Sequence, residues 1–170
     1  MIKPFSVPVV LDVFYSEVKE DVVEGVKCVL VEEFKSVLKV VVRESLSLVD
    51  EAYDFQRRQY NADVLLKHLL RKKVGDVVLW VVGEDLYVSG MNFVFGYAMY
   101  YKGAVLSVFR LSSLELIGKE AVHEVGHVLG LGHCSNRCVM RFSNTLWEAK
   151  LKPLHLCESC KQKIFSLLSR

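Results

Sequence analysis

The sequence predicts a mixed α/β domain on three observations. Valine-rich runs with strand spacing alternate with apolar residues at helical intervals, two β-prone runs flank a short glycine-containing turn, and one long helix carries its own start and stop signals. Residues 7–15 and 36–43 are the first strands, and residues 17–34 between them form a helix, an opening β-α-β unit. Residues 61–73 read as an amphipathic helix through Val64, Leu65, His68, Leu69 and Leu70. Residues 76–82 follow as a buried strand bounded by Gly75 and Gly83. The runs 93–99 and 104–110, joined by Tyr100, Tyr101, Lys102 and Gly103, suit a hairpin at a sheet edge. Ser112 with Glu115 reads as a capping box and Leu111 can staple onto Leu116, so the next helix is expected to start at Ser113. It should stop near Gly130, because glycine accepts the left-handed backbone that ends helices.

With 52% apolar and 25% charged residues in a chain of 170, the balance is globular rather than disordered, and the length suits one core. Neither a repeat nor a Gly/Ser/Pro-rich linker interrupts it, so a single domain over 1–170 is expected. The net charge of +2 comes from 22 basic and 20 acidic side chains spread along the chain, which does not mark a polyphosphate partner; no nucleic acid is expected. Residues 1–15 are apolar but broken by Pro4, Pro8 and Asp12, with no basic leader, and read as no export signal. No run approaches the roughly 18 apolar residues of a membrane span. The expectation is a monomeric cytoplasmic protein without a membrane partner.

His123, Glu124, His127, Gly130 and His133 spell HExxHxxGxxH, and each position has a mechanical reason. Residues four apart share a helix face, so His123 and His127 can point at one zinc ion, and Gly130 lets the chain turn back so that His133 adds a third ligand. Three protein ligands leave a fourth position for water, the mark of a catalytic zinc. Glu124 beside them can take a proton from that water and pass it to a leaving amine, as general base. A helix whose histidines merely pack would not need all five positions to match.

Cys134 and Cys138, with the Cys157 and Cys160 of a CxxC, match a closed tetrahedral structural zinc, two Zn2+ per chain in all, and this site would staple the loop after the active-site helix to the C-terminal segment. In a reducing compartment thiols serve as metal ligands more readily than as disulfides. A redox role for Cys157 and Cys160 is the alternative, with the other pair then unexplained. His155 is a weaker candidate ligand.

The run HEVGHVLGLGHC, then Cys138-Val139-Met140 and Cys157-Glu158-Ser159-Cys160, resembles the archaemetzincins, a metzincin branch of zinc metalloproteases. Arg58-Gln59-Tyr60-Asn61 and Arg110-Leu111 are similar too. The resemblance implies a twisted, mostly parallel sheet with one antiparallel edge strand at 93–99, from Phe93 to Met99, along which a peptide or protein substrate lies by strand addition. It also implies Met140 as the Met-turn residue under the histidines, the four cysteines around a second zinc, and peptidase activity that is weak or aminopeptidase-like. Phe142 stands where some metzincin branches place tyrosine, so no oxyanion donor is assigned.

Two other classes stand beside the zinc peptidase. One is a catalytically weak zinc-binding peptide-recognition module, which would not need Glu124. The other is nucleic-acid binding at the cysteine knuckle, with Arg137, Arg141, Lys150, Lys152, Lys161 and Lys163 nearby, although basic residues around a loop are usually plain surface. Cys28 among Val22, Val26, Leu30 and Val31 reads as core, and His68 as a half-buried helix residue. Arg57 and Arg58 read as a solvated face, and the aromatics between Phe93 and Phe109 as strand, core or cleft residues.

Overall fold

The computed structural model describes residues 6–168; residues 1–5 and 169–170, and with them Pro4 of the segment weighed as a leader, lie outside the described residues. In chain order the elements are β1 (Val9–Ser16), α1 (Glu20–Glu33), β2 (Leu38–Ser45), a 3-10 turn (Asp50–Ala52), β3 (Tyr53–Asp54), β4 (Gln59–Asn61), α2 (Ala62–Leu70), β5 (Val77–Val82), β6 (Leu86–Tyr87), β7 (Gly96–Met99), β8 (Gly103–Ser107), α3 (Leu114–Val128), α4 (Leu146–Leu151) and α5 (Glu158–Leu168).

The main sheet runs β2-β1-β5-β8-β7. Its first four strands are parallel, and β7 alone is antiparallel, paired with β8 and forming one edge. In β5 all six residues are buried, as befits a parallel strand covered on both faces. Val77, Leu79 and Val81 pack with α1 and α3 through Val26, Leu30, Ala121 and Val125. Val78, Trp80 and Val82 turn to the other face and meet Leu65, Leu66 and Leu69 of α2. A small second sheet, β3-β4-β6, flanks this one. Asp12, which interrupts the apolar β1, is fully buried yet satisfied: it pairs with Arg43 at 2.8 Å and accepts the backbone N–H groups of Val74 and Gly75 at 2.7 and 2.6 Å.

The alternation of strands and helices follows the pattern read from sequence, and three details differ. The edge strand begins at Gly96 rather than Phe93, because Val94 leaves the ladder and pairs with Leu86, donating its N–H to that carbonyl at 2.9 Å. The cap of α3 is Ser113, whose hydroxyl accepts the Leu116 N–H at 3.2 Å; Ser112 is one residue too early, and Glu115 pairs with Lys119 at 3.2 Å instead of closing a capping box. Cys28 is exposed, since α1 turns Val23, Val26 and Leu30 inward and leaves position 28 outside that stripe.

Candidate active site

α3 crosses behind the edge strand and carries two of the three histidines in its last two turns. His123 and Glu124 are buried, His127 is half-buried, and His133 is exposed beyond the chain reversal. That reversal is made by Gly130 at φ +103°, a left-handed backbone that side chains disfavour. A β-carbon at Gly130 would also stand 2.6 Å from the Tyr101 hydroxyl oxygen.

The ring orientations decide what this cluster can hold. His123 Nδ1 lies 2.9 Å from the Val139 carbonyl oxygen, and His127 Nδ1 lies 2.7 Å from that of Leu131. A carbonyl only accepts, so each Nδ1 is the donor, and in the neutral ring each Nε2 carries a bare lone pair. The two Nε2 atoms are 3.1 Å apart. With no hydrogen between them they repel, unless a cation shares both. A zinc with Zn–N near 2.05 Å sets its tetrahedral ligand nitrogens about 3.3 Å apart. One ligand atom from each of the three histidines falls within 4.8 Å of the others, with the His133 ring centroid 5.4 Å from that of His123 and 4.9 Å from that of His127. Burial and the Lys152 ammonium lower the proton affinity of His123, and burial does the same at His127 and His133, so the rings are neutral as a metal requires.

Glu124 is wedged between this cluster and the edge strand. A β-carbon placed on Gly96 would meet its carboxyl group at 2.6 Å, so strand and carboxylate touch across a gap only glycine leaves. Burial and the neighbouring Glu120 push the Glu124 carboxyl up to about 8, with Lys152 pulling the other way. Below the helix, Met140 is fully buried, and its sulfur would stand 2.4 Å from a β-carbon on Gly126. The methionine thus packs against the helix that carries His123 and His127, and its place under the histidine ligands is what the resemblance implies. Phe142, half exposed, lies beside His133 with centroids 5.0 Å apart and the rings tilted by 55°.

A cleft of about 440 Å³ opens over the cluster, lined by Gly96, Tyr97 and Ala98 of the edge strand on one side and by Phe142, Ser143 and Asn144 on the other. The wall over residues 88–95 is pinned by a network that sequence reasoning left without a role. Arg110 donates twice to the Asp85 carboxylate at 2.8 Å and lies 4.1 Å over the Phe93 ring. Gln59 donates to Asp85 at 3.0 Å and to the Asn92 carbonyl at 2.9 Å. Arg57, read as a solvated side chain, donates to the Met91 and Asn92 carbonyls at 2.6 and 3.1 Å. Only the kinship of Gln59 and Arg110 with the family pattern signalled this.

The four cysteines converge at a second point. Their sulfurs lie within 4.8 Å of one another, and Cys134 and Cys157 are 3.8 Å apart, near the spacing of a tetrahedral four-thiolate zinc with Zn–S of about 2.3 Å. Amide N–H groups of Met140 and Cys157 point at the Cys138 sulfur at 3.4 and 3.2 Å, as they do to thiolates. Burial opposes ionisation of Cys157, but a backbone N–H from Cys160 and the Asn136 amide bring it down to about 6. His155 is not among the cluster; it meets Glu33 at 2.7 Å. His68 is half-buried, its ring 6.2 Å from that of Trp80. Lys152, counted among the surface cations, is buried against Glu120 at 2.7 Å.

A parallel-to-antiparallel sheet edge over an HExxHxxGxxH helix, with a buried methionine beneath, defines a zinc metallopeptidase of the metzincin kind. The three-histidine site and the four-cysteine cluster are consistent with one catalytic and one structural zinc. Residues 7–166 match Peptidase family M54, and the chain belongs to that family. It is 50% identical over 121 residues to the archaemetzincin of Archaeoglobus fulgidus, covering 67% of this chain and 74% of that one. Over 115 residues it is 45% identical to the archaemetzincin of Nanoarchaeum equitans, 68% of each chain. Among solved structures, the archaemetzincin of Methanopyrus kandleri superposes with a TM-score of 0.85 at 36% identity, covering 95% and 96% of the two chains. A malonate complex of the Archaeoglobus fulgidus archaemetzincin superposes at 0.83 with 41% identity, covering 91% and 99%.

Proposed function

We propose that His123, His127 and His133 hold the catalytic zinc of this peptidase, that Cys134, Cys138, Cys157 and Cys160 hold the structural one, and that Glu124 is the general base. The observation that carries this reading is the pair of facing Nε2 lone pairs 3.1 Å apart, with both Nδ1 hydrogens committed to carbonyls. Zinc in that site supplies Lewis acidity toward the peptide carbonyl and lowers the pKa of water toward neutrality. The peptide extends along β7, exchanging backbone hydrogen bonds with its free edge, and this sets the scissile carbonyl over the histidines. Glu124, held against Gly96, takes the proton of the attacking water and returns it to the leaving amine. Its carboxyl, raised by burial, holds a proton readily near neutral pH, and a neighbouring cation brings it back toward the ionised base.

With this reading go one domain, a monomer, no nucleic-acid partner and a reducing, cytoplasmic setting in which the thiols stay available to metal. Among the described residues no helix is long and apolar enough to cross a membrane. The test is the zinc content and peptide-library digestion of wild type, of Glu124→Ala and of the His123→Ala, His127→Ala double variant. Two zinc per chain falling to one in the double variant, with cleavage lost by about 100-fold or more in Glu124→Ala at unchanged zinc, is the expected result. Full zinc in the histidine variant would sink the metal assignment, and two zinc without any cleavage would turn the cleft into a peptide-recognition surface.

A further inference from the structure

Two buried charges line the cleft beside His123 and Glu124 without belonging to either metal centre. Lys152 is 4% exposed and Glu120 is 3% exposed, and the Lys152 Nζ lies 2.7 Å from Glu120 Oε1. An ammonium has three donors, and although Glu120 Oε1 stands in ion-pair range, that oxygen accepts no hydrogen bond. The His123 Nδ1 at 3.5 Å already gives its hydrogen to Val139 and accepts nothing. Ser143, which also lines the cleft, has a buried hydroxyl with no hydrogen-bond partner. The cleft therefore presents, next to the histidines, donors and acceptors that the protein itself leaves unmet, and unmet buried groups of this kind are costly.

Their arrangement discriminates among substrate side chains. A cationic side chain entering here can bond Glu120 only while standing against the Lys152 ammonium, and an anionic one can bond Lys152 only while standing against the Glu120 carboxylate. An apolar one strips water from both charges and returns no hydrogen bond. A carboxamide is neutral, and it offers a carbonyl to Lys152 and an NH2 to Glu120 at once. The geometry points to Lys152 and Glu120 as specificity-determining residues that select a glutamine or asparagine side chain next to the bond being cleaved. This rests on the peptidase reading of the cleft.

The probe is a set of peptide hydroxamates, which anchor on the metal, identical except for one side chain: Gln, Leu, Glu or Lys. They are titrated calorimetrically into zinc-loaded wild type and into the Glu120→Leu, Lys152→Met double variant, which replaces the ion pair by apolar groups of similar volume, often a neutral change for stability. Wild type is expected to bind the Gln compound about tenfold or more tightly than the other three, and the double variant to prefer Leu. Leu, Glu or Lys binding tightest to wild type overturns the proposal, as does a Gln preference that survives in the double variant. Peptide digestion separates the two readings: no cleavage with the Gln preference intact removes the hydrolytic reading alone, and cleavage with no Gln preference removes the subsite alone.

Discussion

At the scale of single residues, the Asp85 carboxylate that pins the cleft wall answers to named partners. Burial tends to raise the Asp85 carboxyl, but hydrogen bonds from Arg110 and Gln59 outweigh it and hold the group below its ordinary 3.8. A carboxylate depressed in the fold adds stability above the unfolded value, and that contribution is lost as the pH falls through the lower, folded value. Asp85→Asn should therefore destabilise the protein at pH 7 by about 1–3 kcal/mol. In thermal melts of wild type and variant, both in chelator, that gap should close as the pH is taken below 3.8. A gap unchanged at acid pH would mean that Asp85 acts through shape rather than charge.

At the scale of elements, β7 and α3 approach so closely that side-chain size sets activity. Gly96→Ala places a methyl group 2.6 Å from the Glu124 carboxyl, and either the strand or that carboxyl group must move. The expected outcome is hydrolysis reduced by about 100-fold at unchanged zinc content, since the proposed base, shifted by about 1 Å, would lose its line to the attacking water. Gly126→Ala meets Met140 at 2.4 Å, but the contact is with a flexible thioether. It should lower the melting temperature and weaken zinc retention at the histidines more than it lowers turnover of the zinc-loaded protein. Equal effects of the two substitutions on zinc would contradict this division of labour.

At the scale of the whole molecule, the cysteine cluster ties the loop that follows α3 to the start of α5, bringing Cys134 and Cys138 to Cys157 and Cys160. The same loop carries Val139, whose carbonyl orients His123. Structural zinc contributes folding free energy of about 10–16 kcal/mol in isolated zinc-finger peptides, so losing it here should unfasten both ends. A graded chelator titration should first remove the histidine-bound metal, in a site open to a cleft, and abolish cleavage with little change in fold. The thiolate-bound metal should leave later, with a large fall in melting temperature. Simultaneous loss of both metals would argue against two separate sites.

By itself the sequence determined the alternation of strands and helices, the HExxHxxGxxH ligand spacing and the two cysteine pairs, because these are short-range patterns that a helix turn or a tight loop converts directly into geometry. Family kinship extended that to Met140 and to the antiparallel edge. Only the tertiary structure decided that Gly96 lies against Glu124, that Lys152 is buried on Glu120 rather than solvated, and that Gln59 and Arg110 meet on Asp85. These pairs are joined by sheet order and by the return of the chain after α3, and no local periodicity encodes which distant residue fills a gap. The one-residue shift of the α3 cap to Ser113 has the same origin: two adjacent serines offer the same hydroxyl, and only the placed backbone chooses between them.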